Sequence, residues 1–155
     1  MLYLILKSLH ILSVVLFLGN IITGLFWKRH GDRTGDPRLM AHALEGVIRS
    51  DRWFTMPGVV AIIVTGVGLA QIAGYPIFGT GWIWKSLILF SISGALFSIW
   101  VAPLQKKLRT LAQAGVESGS LDLARYRKLS LQWEITGLLA TLTPLGALFL
   151  MVAKR

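Results

Sequence analysis

Apolar residues gather in four long stretches, Leu2–Trp27, Trp53–Ala73, Trp82–Ala102 and Trp133–Ala153, separated by polar and mostly basic connections. Each stretch exceeds the roughly 18–20 residues that carry a helix across about 30 Å of hydrocarbon. Lipid offers no partner to free backbone N–H and C=O groups, so spans of this kind must be helical. The pattern predicts an all-α fold, an integral membrane four-helix bundle forming a single transmembrane domain over residues 1–155.

The connections carry their own signals. Asp36-Pro37 reads as an N-cap followed by proline at the first helical position, opening a helix through Arg38–Arg52 into the second span. On that helix His42, Glu45 and Arg49 share one face, while Met40, Leu44, Val47 and Ile48 form an apolar stripe on the other. An amphipathic cytoplasmic helix lying at headgroup level is the expectation. Gly115–Ser120 should break the third connection, with Ser120 or a neighbour capping a helix that runs into the fourth span. Pro57 and Pro103 mark a kink or end near the start of the second span and the close of the third.

Charge then orients the bundle. Lys28, Arg29, Arg33, Arg38, Arg49 and Arg52 lie in the first connection, and Lys106, Lys107, Arg109, Arg125, Arg127 and Lys128 in the third. The second connection, Gly74–Gly81, has none. The positive-inside rule puts both basic connections in the cytoplasm and both termini outside it, against the weaker pull of Lys154 and Arg155. The expected location is a bacterial inner membrane. The first stretch lacks a basic n-region and a small-residue cleavage site, so it reads as a retained helix. A net charge of +9 is then a topology signal and a contact to anionic membrane lipid, and no nucleic-acid-binding motif accompanies it. A hydrophobic share of 54% and a mean hydropathy of +0.65 agree with a bundle held by helix packing in lipid. The absence of cysteine excludes disulfides and thiol chemistry, and with four scattered methionines no copper or zinc site is expected.

Candidate chemistry rests on a few polar residues within the spans. Ionisable groups there are costly and are functional hypotheses by default. His10, Ser13, Phe17, Asn20 and Gly24 fall on one stripe of the first helix, with Lys7 one turn from His10. Lys7, His10, Gln71 and Lys85 lie at matching depth in the outer half, so the expectation is that they converge from three helices, with Asn20 on the same stripe. A neutral imidazole is a common haem or metal ligand, and nearby cations can hold propionates. The plainer alternative is a histidine hydrogen-bonded to Ser or Asn across helices, with Lys7 snorkelling to the surface. In the inner half Glu134 shares a face with Gly137 and Thr141, and Gly137 is expected to admit a neighbouring helix. Glu134 is expected to pair with Arg49 or Arg52 as a structural ion pair. Trp27, Trp53, Trp82, Trp84, Trp100 and Trp133 read mostly as an aromatic belt.

MLYLILKSLHILSVVLFLGN, SDRWFTMPG at Ser50–Gly58, GTGWIWKS at Gly79–Ser86, WVAPLQKKL at Trp100–Leu108 and Trp133-Glu134 resemble, in order and spacing, a bacterial group. It comprises the predicted integral membrane proteins of domain-of-unknown-function family 2269. A remoter resemblance joins Lys7 and His10, Arg52 and Pro57, Gly81-Trp82 with Lys85, and Glu134 to the HemJ-type membrane protoporphyrinogen oxidases. Copper-resistance D-type membrane proteins look related at the same distance. The oxidase resemblance implies haem b and porphyrinogen oxidation, although the longer charged first connection departs from it and no second axial ligand is evident.

The leading expectation is an outer-half pocket binding haem b, or a related porphyrin or quinone, for redox chemistry. His10 would be the axial ligand or proton-transfer group and Lys7 and Lys85 the anion partners. The alternative is a non-catalytic membrane subunit or scaffold whose polar residues knit helices together. A transporter or channel comes third, and would need the chain to form a homo-oligomer.

Overall fold

The structure is a computed structural model that describes residues 1–154. Six helices follow one another: α1 (Leu2–Thr34), α2 (Pro37–Ser50), α3 (Met56–Ile72), α4 (Gly81–Leu96), α5 (Ala102–Ser118) and α6 (Leu123–Ala153). No strand occurs among the described residues. Four continuous helical rods are long and apolar enough to cross a membrane: Leu2–Thr34, Pro37–Ile72, Gly81–Ser118 and Leu123–Ala153. At 1.5 Å per residue a rod of this size measures about 50 Å, well beyond the hydrocarbon thickness. The rods therefore continue past the apolar stretches at the basic end of the bundle.

Proline does not stop the helices. Asp51–Thr55 and Phe97–Val101 are five-residue π-helical turns, and Pro57 and Pro103 each sit two residues after one. Met56 N–H donates to Asp51 O, and Ala102 N–H to Phe97 O, in the wide i→i−5 register. Proline lacks an N–H and crowds the carbonyl four residues back, and the widened turn absorbs that mismatch without ending the helix. The breaks fall where capping chemistry is complete. Asp36 Oδ1 accepts from Arg38 N–H at 2.8 Å, and Gly35 and Gly119 take the left-handed conformation at the ends of α1 and α5. Asp122, rather than Ser120, caps α6 by accepting from Arg125 N–H at 3.0 Å.

Within the apolar layer the helices form two antiparallel pairs. Gly58 and Gly66 of α3 admit α1, with the space for a side chain at Gly66 already taken by His10. Ser93 Oγ donates to Ala140 O at 2.6 Å, stitching α4 to α6, and Ser86 Oγ, which donates to Trp82 O at 2.7 Å, lies 3.3 Å from Ala147 O. No Cα atom of α4 comes within 8 Å of one in α1 or α3. The pairs meet through the Phe17 and Phe90 rings, whose centroids are 5.5 Å apart. Large apolar side chains such as Leu12, Ile22, Val64, Ile135 and Leu142 stay exposed on the outside, as lipid-facing residues do.

The densest core lies at the basic end. Met40, Leu44 and Val47 of α2 pack with Leu104, Leu108 and Ala112 of α5 and with Tyr126 and Trp133 of α6. The stripe on α2 thus faces protein rather than headgroups, because α5 continues through its π turn and presents a matching apolar face. Gly31 of α1 approaches α2 so closely that an added Cβ would lie 2.7 Å from Ala43 Cβ.

Candidate functional site

The outer-half set is divided between helix pairs: Lys7, His10 and Gln71 lie on the packed helices α1 and α3, and Lys85 lies on α4, apart from them. His10 is half-buried between α1 and α3, with Nδ1 2.9 Å from Thr65 Oγ1. That hydroxyl spends its single proton on Ala61 O, so it accepts the imidazole N–H. Lys7, Gln71 and Lys85 are exposed. Lys85 is carried by α4, which does not pack its backbone against α1 or α3. His10 is bonded across helices as in the plainer reading, but to Thr65 in place of the expected Ser or Asn. The expected pairing of His10 with Lys85 as a propionate partner finds no support in this packing.

Asn20 belongs to a different cluster. Ten residues along α1 from His10, about 15 Å away in an α-helix, it reaches the π turn Asp51–Thr55 midway along the second rod. Its Nδ2 donates to Asp51 Oδ1 at 3.2 Å and to Thr55 Oγ1 at 2.9 Å. Thr55 Oγ1 donates to Asp51 Oδ1 at 2.8 Å, and Gln105 Nε2 to Asp51 Oδ2 at 3.0 Å. Three helical rods converge on one carboxylate that is only 8% exposed. Every donor it receives is neutral, and no cation pairs with it among the described residues.

This cluster forms one wall of a cavity of about 260 Å³ between the two helix pairs. Phe17, Phe90, Phe97 and Trp133 supply aromatic surface, and Gly137 and Thr141 line it from α6. Gly137, expected to admit a helix, has nothing within 4 Å of where its Cβ would stand, and so opens the cavity instead. No lysine, arginine or histidine is among the lining residues. Asp51 is recognisable in the sequence only as an inner-half polar residue preceding the second span, and Gln105 carries no signal there, because both sit outside the apolar stretches as drawn. The i, i+4 spacing of Asp51 and Thr55 was the available signal.

Glu134 has other partners than Arg49 or Arg52. It lies 3.5 Å from Lys28 Nζ and 3.2 Å from Arg29, while Arg49 pairs with Glu45 at 3.5 Å on its own helix and Arg52 is exposed. The correction follows from the length of α1, which runs seven residues past Trp27 and carries Lys28 inward. Lys28 is fully buried, 2.6 Å from Asp32 Oδ2, hydrogen-bonded to Ser130 and 5.2 Å from the centre of the Trp133 ring. Tyr126 Oη donates to Asp32 Oδ1 at 2.6 Å. Spacings of four residues, Lys28 to Asp32 and Tyr126 to Ser130 to Glu134, place these groups on facing stripes of α1 and α6. Trp133, assigned to the aromatic belt, is an interior residue here at 5% exposure.

Compared with known proteins, residues 4–155 match the family described as predicted integral membrane protein (DUF2269). Among curated proteins and solved structures, none matches the chain.

Proposed function

The chain belongs to the DUF2269 family of predicted integral membrane proteins, and we propose that it binds a lipophilic small molecule in the cavity between its two helix pairs. The observation that carries this reading is Asp51, a buried carboxylate on the wall of a mostly apolar cavity. Ligand sites combine apolar walls with a few placed polar groups, and ionisable residues inside membrane bundles mark ligand or ion paths. A bundle that only needed to hold together would gain more from filling this space, because cavities cost packing energy.

Neither porphyrin nor quinone suits this wall well. Propionates are anions that the Asp51 carboxylate repels with no cation on the lining, while a quinone carbonyl, although it can accept from the Ser91 or Ser98 hydroxyl, leaves Asp51 without a counter-charge. Redox chemistry is therefore not part of the proposal. The proposed location is the inner membrane with the basic end in the cytoplasm, and the charge asymmetry supports that orientation.

The test uses the neutral fluorophore 1-aminoanthracene with purified protein in phosphatidylcholine nanodiscs. Saturable enhancement of its emission is expected, and Gly137→Leu, which fills the cavity from a position with free space for a side chain, should abolish it. Equal emission from both proteins, or none above empty nanodiscs, would overturn the reading.

A further inference from the structure

We propose that the ligand is a lipophilic cation, such as an ammonium carried on an apolar or aromatic body. The proposal rests on the cavity being a ligand site and adds the charge of what enters it. Its first ground is the imbalance at Asp51. Asn20, Thr55 and Gln105 satisfy the carboxylate's hydrogen bonds but contribute no positive charge. A buried ion without a counter-ion loses several kcal/mol of solvation that neutral donors restore only in part. None of the neighbouring cations pairs with Asp51: Arg109, one turn beyond Gln105 on α5, makes no ion pair among the described residues and its buried Nε has no partner. Lys28 holds Asp32 and Glu134, Arg49 holds Glu45, and Arg52 is exposed.

The second ground is independent of charge. Phe17 and Phe90 meet at 5.5 Å between the helix pairs, and Phe97 and Trp133 join them on the cavity lining. Aromatic faces attract cations through their quadrupoles, most strongly where water is excluded. An apolar cation gains from these walls as well as from the carboxylate, whereas a hydrated metal ion gains little from aromatic surface. A neutral apolar molecule would leave Asp51 uncompensated, and an anion would be repelled.

Two isosteric probes separate charge from shape: trimethylphenylammonium and tert-butylbenzene, which differ by nitrogen in place of the central carbon. Each is titrated against bound 1-aminoanthracene in phosphatidylcholine nanodiscs, with its own lipid partitioning subtracted. The cation should displace the fluorophore with an affinity about tenfold above that of the neutral isostere, as a charged contact allows. Asp51→Asn should erase this preference and leave tert-butylbenzene unchanged. Phe90→Leu, which keeps the carboxylate, should weaken the cation about threefold more than the neutral probe. It also serves where Asp51→Asn does not fold. Equal affinity for the two probes in the unaltered protein, or a preference that survives Asp51→Asn, overturns the cation assignment while leaving the cavity reading intact. Failure of 1-aminoanthracene itself to bind overturns both.

Discussion

Lys28 has no solvent contact and places its ammonium 2.6 Å from the carboxylate of Asp32, one turn further along α1. Glu134 of α6 stands 3.5 Å from the same nitrogen and also meets Arg29, so two acids and two bases close the basic end of the bundle. Removing one partner of a buried pair leaves the other charge uncompensated, at a cost of about 3 kcal/mol. Lys28→Met should destabilise the protein by that order, because Asp32 and Glu134 then repel each other with only Arg29 between them. Glu134→Gln should cost less, since Asp32 keeps Lys28. Thermal unfolding in a neutral detergent checks the order of the two variants, and a Lys28→Met melt equal to that of the parent would refute the structural role.

Close helix approach gives a second prediction. Alanine at Gly31 would force its Cβ to within 2.7 Å of Ala43, where both helices are backed by the core around Met40 and Leu44. Overpacking of this kind costs about 1–3 kcal/mol. Gly46 lies on α2 with nothing within 4 Å of its missing Cβ. Gly46→Ala should therefore be neutral or stabilise by up to about 1 kcal/mol through helix propensity. The same melting assay compares them, and equal effects would show that the α1–α2 contact does not carry the difference.

Fold class was legible because length and polarity decide it: four apolar stretches in lipid admit little besides helices. The capping of α2 by Asp36-Pro37 was legible for the same local reason. Lateral arrangement was not. Depth along a span follows from sequence, but which spans are neighbours depends on side-chain packing, so Lys7 and Lys85 at one depth are carried by helices whose backbones stay apart. Helix ends were hidden too, since polar continuations of α1 and α5 look like loops until they are found packed on each other's neighbours. That is why Lys28 read as a topology charge, and why Asp51 and Gln105 fell outside the expected site.

Orientation supplies a third prediction. Arg33, Arg38, Arg125, Arg127 and Lys128 cluster with the ends of α1, α2 and α6 at one pole, while the Gly74–Gly81 connection at the other carries no Lys or Arg. With Lys28 neutralised by its acids, the remaining excess should still be large enough to retain that pole in the cytoplasm. Alkaline phosphatase fused at the C-terminus should be active, and a fluorescent protein inserted at Gly119 should be fluorescent. The reverse pattern would overturn the charge argument.

Asp51→Asn should leave the protein at least as stable as before, by contrast with Lys28→Met. Asparagine keeps an oxygen for Asn20 and Thr55, which both donate to Asp51 Oδ1. Its amide nitrogen replaces Oδ2, and Gln105 can turn its own amide to present oxygen instead of Nε2. The hydrogen bonds survive while an uncompensated buried charge disappears, which favours the folded state by about 1 kcal/mol or more. A gain in melting temperature in neutral detergent, with loss of trimethylphenylammonium binding in the same preparation, is the expected pair of results. A marked fall in melting temperature would instead mean that the negative charge itself supports the fold, through a cation that the helices hold in place.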